Sequence, residues 1–171
     1  MGKIRLRWRT RHCVLLAPAI VASLFLGGCA ATSVPSAGGS AAPVVRTVLA
    51  GGDPAAAPGQ RLELARYTIA PHTKLAAHHH PGMQLAFIES GTLTYTVISG
   101  AVEVHARDGT TRTIGPGQTG TIGAGEWIAE NEQIVHFGEN STDQPVMILA
   151  SSLFMAGDPP AILVSPAPAS T

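Results

Sequence analysis

Three consecutive histidines, His78, His79 and His80, stand in a chain of 171 residues that holds seven histidines in all. On a β-strand, side chains two residues apart share a face and the one between takes the other. His78 and His80 then point one way and His79 the opposite way. Two imidazoles on one face can bite a single cation, and imidazole nitrogen suits most first-row divalent metals. Pro81-Gly82 turns the chain directly afterwards. Gln84 follows four residues after His80, and Gly91 seven beyond that. A further histidine, His136, lies far downstream, with Asn140 four residues past it.

The surrounding segments must bring these residues together, and they read as strands. From Gln60 onward, "RLELARYTIA", "QLAFIES", "TLTYTVISG" and "AVEVHA" are rich in Thr, Val, Ile and Tyr, as strands prefer. "RDGT" (Arg107–Thr110) is an Asp-Gly hairpin turn. "TTRTIGPGQTGTIGAGEW" reads as strand, turn, strand, turn, and "QIVHFGEN" and "PVMILASSLFM" close the series. One more strand fits at Ala161–Val164. No helical period follows Cys29. About ten short strands in about 100 residues predict an all-β domain, either a closed barrel or a double-sheet jelly roll, because both dispose of exposed strand edges.

The spacing resembles the cupin superfamily. Its first motif runs G-x5-H-x-H-x(3,4)-E-x6-G, and "HTKLAAHHHPGMQLAFIESG" follows it with His78, His80 and Gly91 in register. His72 stands in the place of the leading glycine and Gln84 in the place of the glutamate. Its second motif, G-x5-P-x-G-x2-H-x3-N, is met by Gly117, by Gly123-Ala124-Gly125 in the Pro-x-Gly place, and by His136 and Asn140 after a longer interval. The resemblance covers about Gln60 to Phe154. It implies a cupin-like jelly-roll β-barrel with a buried divalent transition metal (iron, manganese, nickel, zinc or copper). The ligands it implies are His78, His80 and His136, with Gln84 in the fourth place. Members of this family are often dimers, so a homodimer is among the expectations.

Glutamine at position 84 changes the charge of such a site. Three neutral histidines and an amide leave a divalent ion its full +2, which holds metal less tightly and favours an anionic ligand in the open positions. The alternative is that Gln84 does not ligate and hydrogen-bonds a ligand or water. With glutamate absent there, no carboxylate is placed in the pocket by spacing. Tyr67 and Tyr95 are pocket candidates by strand parity. Trp127 and Phe137 are either pocket-lining or core.

The first thirty residues are of a different kind. Lys3, Arg5, Arg7, Arg9 and Arg11 precede an uncharged apolar run, Val14–Leu26. That is the length of a signal-peptide core and short of the ~20 residues that span a bilayer. Leu26-Gly27-Gly28-Cys29 resembles a bacterial lipobox, in which the cysteine is acylated and becomes the first mature residue. Residues 1–28 are therefore expected to be a lipoprotein signal peptide and Cys29 the lipid attachment. An Ala/Gly/Pro/Ser-rich tether would fill 29–59, a barrel 60–155 and a C-terminal tail 156–171. Val44–Ala50 interrupts the tether as an edge strand. The only other cysteine is Cys13, so the domain would fold without a disulfide.

Composition excludes some partners. Six Lys/Arg and all eleven Asp/Glu follow Cys29. Six minus eleven gives −5 with histidines neutral, and no basic patch suits nucleic acid. The expected protein is exported and lipid-anchored to the cell membrane or outer membrane, binding a metal and a small-molecule ligand. Two other function classes remain open: a metal-dependent enzyme (oxygenase, isomerase or lyase) on a small anionic substrate, and a structural envelope protein with a degenerate site. "GPGQTG" fits a dinucleotide pattern but opens no helix and reads as turns. Asn140-Ser-Thr is a glycosylation sequon by pattern only. His72, His105 and Glu89 read as surface residues.

Overall fold

The computed structural model describes residues 42–164. The signal peptide expected at 1–28, the attachment at Cys29 and the start of the tether lie outside the described residues, as does the end of the tail. The described chain is all-β, with no helix among those residues. Its strands are β1 (Val44–Gly52), β2 (Gln60–Ile69), β3 (Thr73–Lys74), β4 (His78–His79), β5 (Met83–Ser90), β6 (Thr92–Ser99), β7 (Val102–His105), β8 (Thr111–Ile114), β9 (Thr119–Gly123), β10 (Trp127–Glu130), β11 (Val135–Asn140), β12 (Val146–Met155) and β13 (Ile162–Leu163).

They form two antiparallel sheets in a jelly-roll arrangement. One runs β1-β2-β12-β5-β10-β7-β8 and the other β13-β4-β11-β6-β9, with β3 beside β11. The alternation that made the segments legible also makes the core. On β5, Gln84, Ala86 and Ile88 are buried while Met83, Leu85 and Phe87 are exposed. Ile88, Val104 and Ile128 from the first sheet meet Leu93, Val97 and Ile122 from the second in one buried cluster. Burying such side chains contributes roughly 1.5–3 kcal/mol each, which suits a domain without disulfides.

Both ends of the domain reach beyond 60–155. The strand expected at Val44–Ala50 is β1, and it pairs with β2 from Val44 to Gly52. The sheet thus begins inside the segment expected to be tether. At the other end β13 pairs with β4, placing Ile162 opposite His79 and Leu163 opposite His78.

Two motif positions have a clear structural meaning. Gly91 has φ +80°, and a Cβ there would lie 2.9 Å from the Pro145 carbonyl oxygen, so only glycine fits. His72, in the place of the leading glycine, has φ +54°, a left-handed conformation that disfavours side chains. Its ring meets Asp143 at 2.9 Å on the exposed surface, a contact of little worth. His72→Gly is therefore expected to stabilise the protein by about 0.5–1 kcal/mol. Thermal unfolding checks this; an unchanged or lowered midpoint would refute it.

Asn140 closes β11 and is fully buried. Its Nδ2 lies 3.1, 3.0 and 2.8 Å from the carbonyl oxygens of Ile69, Ala70 and Gln144. Its Oδ1 accepts from the backbone N–H and hydroxyl of Thr142 at 3.1 and 2.8 Å. The amide ties the end of β2 to the β11–β12 turn, and its burial leaves the sequon no accessible nitrogen.

Candidate metal centre

The second sheet supplies the histidines. His136 on β11 pairs directly with His78 on β4, so their side chains share a face. His80 follows β4 by one residue and returns to that face. One ring nitrogen from each of the three lies within 4.8 Å of the others. The ring centroids are 4.3 Å apart for His78–His136, 5.2 Å for His78–His80 and 5.3 Å for His80–His136. A register irregularity between β6 and β11 falls at Val135/His136, as bulges beside functional sites often do.

Each histidine is oriented by a backbone carbonyl. His78 Nδ1 lies 2.8 Å from Ala76 O, His80 Nδ1 2.8 Å from Pro160 O, and His136 Nδ1 3.4 Å from Ile134 O. A carbonyl oxygen only accepts, so in all three rings Nδ1 carries the proton. The neutral rings then present their Nε2 lone pairs. This is how proteins prepare histidines for a metal.

Facing them from the first sheet is a group that spacing alone did not locate. Glu130, at the end of β10, is 2 % exposed and pairs across the sheet with Gln84. Its Oε1 lies 3.1 Å from His136 Nε2 and its Oε2 3.4 Å from His80 Nε2. Tyr95 donates its hydroxyl to Oε1 at 2.7 Å, and Gln84 donates Nε2–H to Oε2 at 3.1 Å. A carboxylate that motif spacing did not place thus stands in the pocket. The available signal was parity: Glu130 is two residues from the apolar Ile128, so both take the core face.

Gln84 is 6 % exposed and turns its amide nitrogen toward the cluster, 2.9 Å from His80 Nε2. An amide N–H cannot ligate. In this arrangement Gln84 is a hydrogen-bond donor to His80 and Glu130.

The electrostatics follow from burial and from the carboxylate. Burial alone would raise the Glu130 carboxyl, but the His136 and His80 imidazoles and the Tyr95 hydroxyl outweigh it and hold it well below the usual range. Burial pushes His136 down to about 4 and also lowers His78. Burial opposes charge on His80 too, yet contact with Glu130 reverses the balance and raises it. Burial pushes the Tyr95 phenol far up, and the Glu130 charge adds to this. Tyr95 therefore stays protonated and remains a donor.

The cluster stands at one side of a cavity of about 200 Å³. Ile69, Leu75, Ile88, Leu93, Ile128 and Ile148 line its walls, together with Tyr67 and Tyr95. This is below the range of drug-sized pockets and suits a small molecule. Pro160, Ala161 and Leu163 also line it, so the segment that runs into β13 both orients His80 and bounds the cavity.

Other candidate residues lie elsewhere. His79 is absent from the cavity wall, as its parity requires. Trp127 is on the outer face of the first sheet, stacked on His105 with centroids 3.8 Å apart. Phe137 lies under the Lys74 ammonium at 4.3 Å. Glu89 forms an ion pair with Arg66 at 2.6 Å. The stretch Gly115–Gly120 is turn and strand, with Gln118 N–H donating to Gly115 O.

No protein-family model matches the chain, and no curated protein matches it either. Among solved structures it is similar to a cupin 2 conserved barrel domain protein from Leptotrichia buccalis, with 18 % identity, 63 % of this chain and 39 % of that chain covered, and a TM-score of 0.43. It is similar to a point variant of oxalate decarboxylase from Bacillus subtilis at 22 % identity, over 60 % of this chain and 24 % of that one, with a TM-score of 0.39. A cupin superfamily protein from Desulfitobacterium hafniense matches at 14 % identity over 65 % of this chain and 77 % of that one, with a TM-score of 0.37. The chain spans about a quarter of the length of the oxalate decarboxylases it matches.

Proposed function

We propose that this chain is an exported, membrane-anchored protein of cupin type. It holds a divalent transition metal on His78, His80 and His136 and takes a small, anionic molecule into the adjoining cavity. The observation that carries this reading is the common tautomer of the three histidines. Each spends its Nδ1–H on a backbone carbonyl and aims Nε2 inward. The donor set fits a borderline metal ion. The lipobox-like Leu26–Cys29 and the basic and apolar stretches before it support export and anchoring.

When bound, the metal supplies a Lewis acid for an oxygen of the ligand. The chain's own residues do the rest. The apolar walls exclude water and strengthen polar contacts inside. Tyr95 stays a hydroxyl donor, and Gln84 directs both amide hydrogens at the cluster.

A second reading, metal-dependent catalysis on the same small anion, is supported by the buried Glu130 beside the histidines. It places a charged oxygen within reach of a bound molecule.

Elemental analysis tests the principal reading. The full chain, purified in detergent and reconstituted with manganese, iron, nickel, copper or zinc, is expected to retain stoichiometric metal with at least one of them. Retention of none would end the proposal. In a bacterial host, labelled palmitate is expected on the wild type and absent from Cys29→Ser. Equal labelling of both would remove the anchor from the reading.

A further inference from the structure

Resting on the metal reading above, we infer that Glu130 is the anionic ligand of the centre. It is supplied from β10, directly across the sheet from Gln84, and positions 84 and 130 are interchangeable carriers of one carboxylate.

Distances support this first. Two ligand atoms each about 2.1 Å from one ion are about 3.0 Å apart at a right angle and about 3.4 Å apart at the tetrahedral angle. The Glu130 oxygens lie 3.1 Å from His136 Nε2 and 3.4 Å from His80 Nε2. Those are the separations of neighbouring ligands on a shared ion.

Protonation supports it independently. The Nδ1 atoms of His80 and His136 are committed as donors to Pro160 and Ile134. With Nδ1 protonated, the neutral His136 ring turns its Nε2 lone pair toward Glu130 Oε1, which also offers only lone pairs, while His80 Nε2 has the Gln84 N–H beside it at 2.9 Å. A cation between them resolves that conflict. A proton on one nitrogen would serve that nitrogen alone, whereas a divalent ion serves every donor at once.

Burial makes the conflict acute. Glu130 is 2 % exposed, and no lysine or arginine lines the cavity. Its ionic contacts among the described residues are His80 and His136 alone. A buried carboxylate without a compensating cation is strongly unfavourable.

The sheet explains why the carboxylate can come from another strand. Glu130 and Gln84 are direct cross-strand partners, with side chains on one face a few ångströms apart. Both reach the same point between the sheets. Gln84 and Tyr95 each donate a hydrogen bond to the carboxylate, at 3.1 and 2.7 Å, as outer partners of ligating carboxylates do. The bound site then carries +1 rather than +2, and its preference for an anion is moderated.

Cobalt(II) titration of the full chain in detergent, followed by visible absorption and by competition with a chelator, tests this. Glu130→Gln is expected to bind cobalt about 100-fold more weakly, with an altered ligand-field spectrum. The exchange variant Glu130→Gln/Gln84→Glu is expected to recover affinity to within about tenfold of wild type. It keeps charge and volume, so it decides the matter if the single variant does not fold. Unchanged cobalt binding and spectrum in Glu130→Gln would overturn the inference. So would a folded exchange variant that binds no cobalt. If His136→Ala abolishes binding while Glu130→Gln leaves it intact, this inference falls and the three-histidine reading stands. Absence of cobalt binding by the wild type would remove both.

Discussion

His136→Ala is expected to empty the centre. His136 is 3 % exposed and lies between the other two rings and Tyr95, on which it stacks at 4.8 Å. Removing it takes away one of three prepared lone pairs, and β11 offers no neighbour to replace it. Loss of an outer partner of a metal ligand already weakens binding by about 10–100-fold. Loss of the ligand itself should weaken it by about a thousandfold, or about 4 kcal/mol. Elemental analysis beside a calorimetric metal titration reads this directly. His78→Ala should behave alike. His79→Ala, which alters the ring facing away from the cavity, should keep its metal. Full occupancy in His136→Ala would mean that the histidines merely fill the space between the sheets.

The second large effect concerns folding. Asn140→Asp is expected to destabilise the protein by about 3–5 kcal/mol. The side chain presents its nitrogen to three carbonyl oxygens, at 3.1, 3.0 and 2.8 Å. In aspartate an acceptor replaces that donor. Three carbonyls would then face a buried carboxyl oxygen, and ionising it would add an uncompensated charge. Asn140→Ala should cost less, about 1–3 kcal/mol, because it removes the bonds without adding repulsion. Denaturant unfolding of both variants gives the order. Equal losses would show that satisfying the carbonyls matters less than filling the space.

These two residues also show what the sequence discloses and what it hides. The pair His78/His80 was legible because a period of two is a local property. Two-residue parity needs no knowledge of the partner strand. Asn140 was legible as a motif position, but its five hydrogen-bond contacts join residues up to 71 apart. Nothing local predicts those. Glu130 stayed hidden for the same reason. Its inward parity beside Ile128 could be read, but its meeting with Gln84 depends on the register of β5 against β10. Register is a product of the whole sheet. The edge strand at Val44 stood out from its Ala/Gly/Pro surroundings by its β-branched residues. The strand expected at Ala161–Val164 is β13, legible from its apolar run, but its pairing with β4 is a long-range contact that composition does not disclose. The position of Trp127 was ambiguous because an aromatic residue serves either face of a sheet. The structure assigns it to the outer face, 37 % exposed.

That outer tryptophan gives the domain a built-in optical probe. Trp8 is the only other indole, and it lies in the leader expected to be cleaved. In the mature protein the emission would come from Trp127 alone. Its ring is stacked on His105, which belongs to the neighbouring strand β7. Unzipping of β7 from β10 separates the rings and alters the signal without any label. A molecule entering the cavity stays on the far side of the sheet and should leave the colour of that emission unchanged. Anything seating on the outer face would cover the indole and shift its emission to the blue. One fluorescence spectrum thus tells events inside the barrel from events on its exterior.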